Sequence, residues 1–366
     1  MFSHSPKLKV TIADSSSYSR LVLSNMLQAQ PDLEVLDTAA DEFSLMASLR
    51  LQKPDVVLAD LNLQNTNSTF CLRQIQMETG VPVLMLCEPE KTNAASLLKA
   101  SKLGVYDYIL KPAHRLQPKL RDLQTEILDK IRAVHKSGVF TAFNSQNAMV
   151  SGLKTQGLTK RPKGLVVIGA STGGTQAVEK IIRNLGNKLD ACLLVAVHLP
   201  AGFTRSFAKR LQSLTTLKVV EGANGRKLER GKIIIAPGGK NMVLAPGLTP
   251  SGQYEIKITN ASETEYDKPS IDTLMKSVAA NFADPILGVV LTGMGKDGTK
   301  GLEAIKKSGG LTIAQDQASS VIFGMAKSAI EKGHVNLVLP LAQIPDYINR
   351  FVAELPAVEK ALPTTI

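Results

Sequence analysis

Short apolar runs alternate with longer amphipathic segments through the first 130 residues of the chain. The runs are rich in Val, Leu and Ile, and segments such as 19–29 carry apolar residues at helical spacing. Strands that alternate with helices predict an α/β domain built on a parallel sheet. The predicted strands are residues 9–13, 55–60, 81–87 and 105–110.

Four chemically distinctive residues stand where these runs end: Asp14, Asp60, Cys87 and Lys111. In open parallel sheets, ligands bind at the carboxyl ends of the strands. A strand-end carboxylate beside a lysine suits acceptance of a phosphoryl group, because the ammonium neutralises charge that develops on the phosphate. The first part of the chain therefore predicts a phosphoryl-accepting site.

A second strand-helix pattern begins near Leu165, where the buried-type run LVVIGAS leads directly into a helical pattern over residues 172–185. Ser171 lies at this turn, where the first N–H groups of the helix can face an oxyanion. The position suits a nucleophile. Two alternatives remain open: a helix cap, and a nucleotide-binding glycine turn, although neither nucleotide-binding glycine motif is present.

Two further residues at strand ends complete a candidate catalytic set. His198 closes the strand ACLLVAV, and Asp297 follows the strand and glycine-rich turn of GVVLTGMGKDG. His334 precedes its strand and is expected at the opposite sheet edge. Ser171, His198 and Asp297 predict a Ser-His-Asp triad. Asp297 as a helix N-cap and Asp316 as a reserve acid remain alternatives.

The positive charge is concentrated in the second part of the chain. Residues 1–136 carry 16 Lys and Arg against 15 Asp and Glu, whereas residues 137–366 carry 27 against 17. Such a field favours an anionic partner, either nucleic acid or an acidic protein surface. The second part has no Trp, no dense Lys/Arg tract and no aromatic-basic RNA-binding motif, so nucleic acid is not expected.

Cysteine usage and the lack of long apolar segments indicate the cellular compartment. The odd number of cysteines (Cys71, Cys87 and Cys192) and the absence of C-x-x-C spacing favour a reducing environment without a cysteine metal site. No apolar run approaches the roughly 18 residues of a membrane helix, and the first nine residues lack a signal core. We therefore expect a cytoplasmic protein without membrane insertion.

Residues 7–130 resemble the receiver domains of two-component signalling, on the segments PDVVLAD and DYILKP. The resemblance implies a flavodoxin-like domain in which Asp60 is the phosphoacceptor, Asp14 the first of an acidic pair and Lys111 the family's lysine. It also implies that Asp14 and Asp60 hold Mg²⁺.

Two positions depart from the receiver pattern: Ser15 replaces the second adjacent acid, and Cys87 replaces the switch Ser or Thr. Because Mg²⁺ prefers carboxylate oxygens, the change at Ser15 predicts a weakened metal site. A receiver fold that no longer accepts phosphate efficiently therefore remains an alternative.

Residues 163–355 resemble the chemotaxis protein-glutamate methylesterases in six segments that occur in the same order: IGASTGGTQAV, VHLPAGFTRSFAKRL, IIIAPGGKNM, KPSIDTLMKSVA, VVLTGMGKDG and AQDQASSVIFGMAKSAI. The resemblance implies a doubly wound, mostly parallel α/β methylesterase domain. Its nucleophile falls on Ser171, its base on His198 and its acid on Asp297, with backbone N–H groups near Thr172 and Met294 as oxyanion donors. The serine motif is not the G-x-S-x-G elbow of common esterases.

The same resemblance implies an activity and its partners. Family members hydrolyse glutamyl methyl esters on methyl-accepting chemoreceptors, with glutamine deamidation as a second reaction, and need no cofactor for catalysis. The receiver is expected to control access after phosphorylation by the chemotaxis histidine kinase, and residues 137–162 are predicted to be the interdomain linker. A non-enzymatic response regulator with a protein-binding output domain is the alternative; a transcriptional regulator is not expected, because no helix-turn-helix pattern is present.

Overall fold

The computed structural model describes residues 6–61, 63, 68–88, 103, 105–111, 120–136, 161–246, 253–260 and 268–355. The chain divides into two compact units, Met1–Asn147 and Ala148–Ile366. All of the predicted linker, residues 137–162, except its last two positions lies outside the described residues. No helix in the described ranges is long and apolar enough to cross a membrane.

The first unit contains a five-stranded parallel sheet in the order β2-β1-β3-β4-β5, which is the strand order of flavodoxin-like folds. Strands β3 and β4 are buried at every position, as expected when helices cover both faces of a parallel sheet. The described elements are β1 Leu8–Ala13, α1 Ser17–Gln28, β2 Leu33–Ala39, α2 Glu42–Leu51, β3 Val56–Asp60, α3 Ser68–Glu78, β4 Val83–Cys87, β5 Val105–Leu110, a 3-10 turn Leu120–Leu123 and α4 Gln124–Lys136.

The predicted parallel α/β architecture of this unit is confirmed, and the four predicted strands are β1, β3, β4 and β5. Strand β2 has no strong apolar run, because it lies at the sheet edge and only its first and last residues are buried. Its sequence, LEVLDTA, therefore carries a weak signal.

The second unit is built on a seven-stranded parallel sheet in the order β15-β14-β13-β6-β7-β10-β8. Its three central strands β13, β6 and β7 are buried throughout. The described elements are β6 Gly164–Ala170, α5 Gly174–Arg183, β7 Ala191–Val197, α6 Phe203–Gln212, β8 Lys218–Glu221, β9 Arg226–Lys227, β10 Lys232–Ile235, β11 Asn241–Leu244, β12 Glu255–Thr259, α7 Ile271–Asn281, β13 Ile286–Val290, α8 Thr299–Lys307, β14 Leu311–Gln315, α9 Met325–Glu331, β15 Leu337–Leu339 and α10 Ile344–Ala353.

A small antiparallel sheet, β11-β12-β9, extends this architecture and was not singled out in the sequence. It is joined to α7 by hydrogen bonds, among them one from Leu244 N–H to Ser277 Oγ at 3.0 Å. Its apolar residues Met242 and Ile256 belong to the same core as Leu274 of α7. The small sheet and α7 therefore form one packed layer of the second unit.

The three cysteines, Cys71, Cys87 and Cys192, are free and buried. Burial raises the pKa of each thiol to about 12. Because the thiolate is the reactive form of cysteine, these thiols are poor nucleophiles and metal ligands at neutral pH.

Candidate active site

Three neighbouring strands bring the predicted catalytic residues to one edge of the large sheet. Strand β6 lies between β13 and β7, and all three run parallel. Ser171 follows β6, His198 follows β7, and Asp297 lies in the loop that connects β13 to α8. All three are therefore at carboxyl ends of adjacent strands, as the sequence predicts.

The strand ladder places Ser171 and His198 side by side. Ala170 pairs with Val197, and the N–H of His198 donates to the carbonyl of Ala170 at 3.1 Å. The next residues along the two strands are Ser171 and His198, and neighbouring strands are about 5 Å apart. On the other side, Ser171 N–H donates to the carbonyl of Thr292 at 3.0 Å.

His198 is paired with the buried carboxylate of Asp297. Its Nε2 lies 2.9 Å from Oδ2 of Asp297, and the Asp297 side chain is only 7% exposed. Since an ionised carboxylate only accepts hydrogen bonds, Nε2 carries the proton in the neutral imidazole. Nδ1 is then the basic nitrogen, which defines the atom that can take a proton from a nucleophile.

Asp297 is held by the start of helix α7 as well as by His198. Oδ2 accepts from Ile271 N–H at 2.6 Å, and Oδ1 accepts from Asp272 N–H at 2.8 Å and from Gly298 N–H at 3.0 Å. Burial opposes ionisation, but His198 and these backbone donors outweigh it, so the pKa of Asp297 lies below its ordinary value. The carboxylate is therefore charged at neutral pH.

The two predicted oxyanion donors belong to peptide groups whose carbonyls are held in place. The Ser171 carbonyl accepts from Gly174 N–H at 2.7 Å, and the Gly293 carbonyl accepts from Gly324 N–H at 3.1 Å and Met325 N–H at 2.9 Å. In a trans peptide, the C=O and the following N–H point in opposite directions. The N–H groups of Thr172 and Met294 therefore point away from these anchors in fixed directions.

Gly293 brings the β13–α8 loop, residues 291–298, against Ser171. A Cβ added at Gly293 would lie 2.6 Å from Cβ of Ser171 and 2.4 Å from Sδ of Met325. Only glycine allows this approach without displacing a neighbour. The backbone of the β13–α8 loop thus packs directly on Ser171.

The first unit has a second cluster of charged residues at its sheet edge. Asp14 follows β1, Asp60 ends β3 and Lys111 follows β5, and all three side chains are buried. The Lys111 ammonium lies 2.6 Å from Asp14 Oδ2 and also contacts Asp60 Oδ2. Burial lowers the pKa of Lys111, but the two carboxylates outweigh it and raise that pKa above its ordinary value.

Asp14 and Asp60 are the carboxylates that could hold a cation in this cluster. Ser15 contributes no carboxylate, and among the residues that the structure describes no group of three His, Cys, Asp or Glu could hold a metal ion. Two carboxylates suffice for Mg²⁺ only when waters and phosphate complete its shell. A cation must also compete with Lys111 for the same oxygens. The donor set therefore fits a weakly held Mg²⁺.

Comparisons with known proteins find relatives of both units of the chain. A family model described as CheB methylesterase matches residues 166–348, which is half of the chain, and one described as response regulator receiver domain matches residues 10–121. A protein-glutamate methylesterase/protein-glutamine glutaminase of Pyrococcus abyssi is 36% identical over 351 residues, covering 94% of each chain. The chain belongs to the CheB methylesterase family.

One further relative is similar over both units, and one solved structure is similar to the second unit. The protein of the same name from Sulfurimonas denitrificans is 34% identical over 352 residues, which is 95% of this chain and 99% of that one. The crystal structure of the Thermotoga maritima CheB methylesterase catalytic domain is 37% identical, with a TM-score of 0.50, and covers 53% of this chain and 100% of that chain. The chain is an enzyme with a receiver domain, and the alternative of a non-enzymatic response regulator is wrong.

The structure contradicts the helix-cap alternatives at two of the predicted triad positions. The N-cap of α5 is Gly173 and that of α8 is Gly298, so the interpretations of Ser171 and Asp297 as helix caps are wrong. Asp316 Oδ1 accepts from Ser319 N–H at 2.9 Å, and Asp297 is the acid that contacts His198.

His334 lies elsewhere, as predicted. It precedes β15, and its Nε2 is 4.0 Å from the Glu303 carboxylate of α8. It therefore has its own acidic neighbour, away from the Asp297 carboxylate that holds His198.

Two groups of site residues were missed from the sequence. The start of α7, Ser270 to Asp272, surrounds Asp297, and its sequence signal is the Ser N-cap before an apolar run. The segment 319–325 contacts Gly293 of the β13–α8 loop through Ile322, Gly324 and Met325. No local pattern in that segment indicates such a contact.

Proposed function

We propose that this enzyme hydrolyses glutamyl methyl esters on methyl-accepting chemoreceptors, using Ser171 as nucleophile, His198 as base and Asp297 as the orienting acid. The main support for the proposal is that these residues lie at the carboxyl ends of three adjacent strands, with His198 Nε2 2.9 Å from Asp297 Oδ2. The names of the relatives supply the substrate class, including glutamine deamidation as a second reaction.

The first half of the reaction forms an ester on the enzyme. His198 Nδ1 takes the proton of the Ser171 hydroxyl while Oγ attacks the ester carbonyl, and Asp297 stabilises the imidazolium that results. The N–H groups of Thr172 and Met294 donate to the developing oxyanion. When the tetrahedral intermediate collapses, His198 returns the proton to the leaving methoxide, which departs as methanol.

The second half restores the enzyme. A water molecule gives a proton to His198 Nδ1 and attacks the glutamyl ester on Ser171. The second tetrahedral intermediate breaks the bond to Oγ, which regains its proton from His198. The glutamic acid product gives its remaining proton to solvent and leaves as a carboxylate. With a glutamine substrate the same steps release ammonia instead of methanol. His198 thus carries each proton that moves between Ser171, the attacking water and the leaving group.

Charge at the site favours an acidic partner such as the receptor helices. Asp297 is followed by α8, whose first turn contains no acid but does contain the exposed Lys300, and the exposed Lys296 precedes Asp297. The first turns of α5 and α6 also lack acids. A helix N-terminus carries a partial positive charge, and lysines near it add to that charge. This edge of the large sheet is therefore electropositive and suited to an anionic protein surface.

The receiver is proposed to regulate this activity. Asp60 accepts a phosphoryl group that originates on the chemotaxis histidine kinase, and Lys111 neutralises charge on it. Asp14 and Asp60 would hold Mg²⁺, which when bound neutralises phosphate oxygens during the transfer. A phosphorylated Asp60 then increases access of receptors to Ser171, but the lack of a second acid at Ser15 makes this phosphorylation inefficient.

The test is release of labelled methanol from methylated chemoreceptor membranes by the full chain, with Mg²⁺ and a small phosphodonor present. Ser171→Ala should lower the rate at least about 10³-fold, as for loss of a triad nucleophile. Ser213→Ala is the matched control, because Ser213 is an exposed serine whose Oγ donates to a helix carbonyl, that of Arg210, at 2.7 Å. Release by Ser171→Ala at the wild-type rate would remove the proposed mechanism.

A further inference from the structure

Thr292, in the loop after β13, is hydrogen-bonded to three other segments of the candidate active site: the turn after β6, the end of β14 and the segment around Ile322. Its N–H donates to Gln315 Oε1 at 2.8 Å, and its carbonyl accepts from Ser171 N–H at 3.0 Å. Its hydroxyl donates to the Thr172 carbonyl at 3.0 Å and accepts from Ile322 N–H at 2.9 Å. The residue is 1% exposed, so these bonds are shielded from water. All of its polar groups are thus used for contacts within the site.

These contacts lie beside both oxyanion donors. The Thr172 carbonyl, which the Thr292 hydroxyl holds, belongs to the residue whose N–H is the first donor. Gly293 follows Thr292, and its N–H donates to the Ile322 carbonyl at 3.0 Å. The carbonyl of the same Gly293 lies opposite the N–H of Met294, which is the second donor. The hydroxyl of Thr292 therefore links the backbone on both sides of the oxyanion position.

We propose that Thr292 is a positioning residue that sets the separation of the Thr172 and Met294 N–H groups. The inference rests on the proposed function. The hydroxyl does not touch the reacting atoms. It connects the turn after β6, at Thr172, to Ile322 by hydrogen bonds. The Ile322 carbonyl in turn accepts from the N–H of Gly293. Oxyanion donors act only when they lie at hydrogen-bonding distance from the developing charge. Small shifts of these loops therefore affect the transition state more than substrate binding.

Gln315 supports the same arrangement from the neighbouring strand. It ends β14 and is fully buried, and its Nε2 donates to the Ser319 carbonyl at 2.7 Å while Oε1 accepts from Thr292 N–H. A buried amide with both ends bonded has one orientation, because turning it would oppose like groups. Thr292 is thereby held from both its backbone and its side chain.

Thr312 provides a matched control for a buried threonine hydroxyl. It is fully buried in the first half of β14, at the opposite sheet edge from Ser171. Its Oγ1 donates to Asn336 Oδ1 at 2.7 Å and accepts from Asn336 N–H at 3.0 Å. Replacing either threonine with valine keeps the branched shape and removes a hydroxyl that both donates and accepts.

The experiment compares kcat and KM for methanol release by the full chain carrying Thr292→Val, Thr292→Ser or Thr312→Val. Thr292→Val should lower kcat about 10- to 100-fold, less than loss of a whole oxyanion donor, with KM within about threefold of wild type. Thr292→Ser, which keeps the hydroxyl, should restore kcat to within about threefold. Thr312→Val should lower the melting temperature as much as Thr292→Val and leave kcat unchanged.

Each rate of methanol release is divided by the fraction of the enzyme that reacts with a serine-directed phosphonate. This correction excludes unfolded protein from the calculated kcat. If Thr292→Val does not fold, Gln315→Leu, which removes the acceptor of Thr292 N–H, should show the same kcat loss. A wild-type kcat in Thr292→Val, or an equal loss in Thr312→Val, overturns the proposal while leaving the proposed function intact. Persistent release by Ser171→Ala would instead overturn the proposed function.

Discussion

Asp297 shows how a single side chain can depend on a distant part of the chain. Its two oxygens receive three backbone N–H groups in addition to His198, and two of those come from Ile271 and Asp272 at the start of α7. Hydrogen bonds to a charged group contribute about 1.5–3 kcal/mol each. The same contacts fix the carboxylate beside His198 and attach α7 to the β13–α8 loop.

We expect Asp297→Asn to reduce kcat about 10³- to 10⁴-fold, because the imidazole of His198 loses its orienting acid. Whichever way the new amide turns, its NH₂ faces backbone N–H donors, so the melting temperature should fall as well. Methanol release and thermal unfolding measure the two effects. Asp316→Asn is the control: Asp316 also follows a strand end, and its Oδ1 acceptor for Ser319 is kept.

The contribution of Asp297 to the melting temperature should decrease as the pH falls. The pKa of Asp297 is lower in the folded protein than in the unfolded chain, where it is about 3.9. Its stabilising contribution is therefore fully present above about pH 4 and is lost as the pH falls through the lower, folded-state pKa. The melting temperatures of wild type and Asp297→Asn should converge below pH 4. A constant difference from pH 3 to pH 7 would contradict this account of Asp297.

At the scale of elements, the sequence predicted which candidate site residues lie at the carboxyl ends of strands. Ser171, His198 and Asp297 each follow a buried strand, and adjacency of β13, β6 and β7 then brings them together. The antiparallel sheet β11-β12-β9 was not predicted, because its strands are short: β9 has two residues and β11 has four. Contacts between segments far apart in sequence, such as Thr292 with Ile322, leave no local periodicity.

The junction of the β13–α8 loop with Ser171 depends on Gly293. Gly293→Ala would place a methyl group 2.6 Å from Cβ of Ser171 and 2.4 Å from Sδ of Met325. The Met325 contact is with the flexible part of an unbranched side chain, but relief of the other contact displaces Ser171. We expect kcat to fall about 100-fold or more, as for a misplacement of roughly 1 Å.

Gly295 in the same loop is the control for the Gly293 prediction. It has φ +85 and nothing within 4 Å of an added Cβ, so its requirement is conformational and not steric. Asn adopts the left-handed conformation more readily than other residues with a side chain. Gly295→Asn should keep kcat within about fivefold of wild type. Equal loss in the two variants would show that the loop needs glycine for its backbone conformation and not for its approach to Ser171.

At the scale of the whole molecule, the two units differ in how closely their charged sites follow the family pattern. The catalytic unit has a complete candidate triad, whereas the receiver has Ser15 where a second acid is expected. The buried Lys111 ammonium already offsets one of the two negative charges of Asp14 and Asp60. A cation entering this cluster gains two carboxylates and must displace or share them with Lys111, so we expect weak binding of Mg²⁺.

The receiver prediction follows from this balance of charge. Ser15→Asp should tighten Mg²⁺ binding about 10- to 100-fold, because a carboxylate replaces a hydroxyl beside Asp14. It should also increase the stimulation of methanol release by a small phosphodonor, which in the wild type should be small. Calorimetry measures the Mg²⁺ affinity, and the methanol assay measures the stimulation by the phosphodonor. Asp60→Ala, alone and combined with Ser15→Asp, shows how much of the stimulation passes through Asp60.

The possible outcomes separate metal binding from phosphoryl acceptance. Stimulation that rises in Ser15→Asp and disappears in Ser15→Asp combined with Asp60→Ala would mean that the missing acid limits the receiver. Tighter Mg²⁺ binding without greater stimulation would place the limit at another position, of which Cys87 is the one that departs from the family's switch residue. Strong stimulation of the wild type that requires Asp60 would contradict the prediction, since it would show that Asp14, Asp60 and Lys111 accept phosphate efficiently without a second acid.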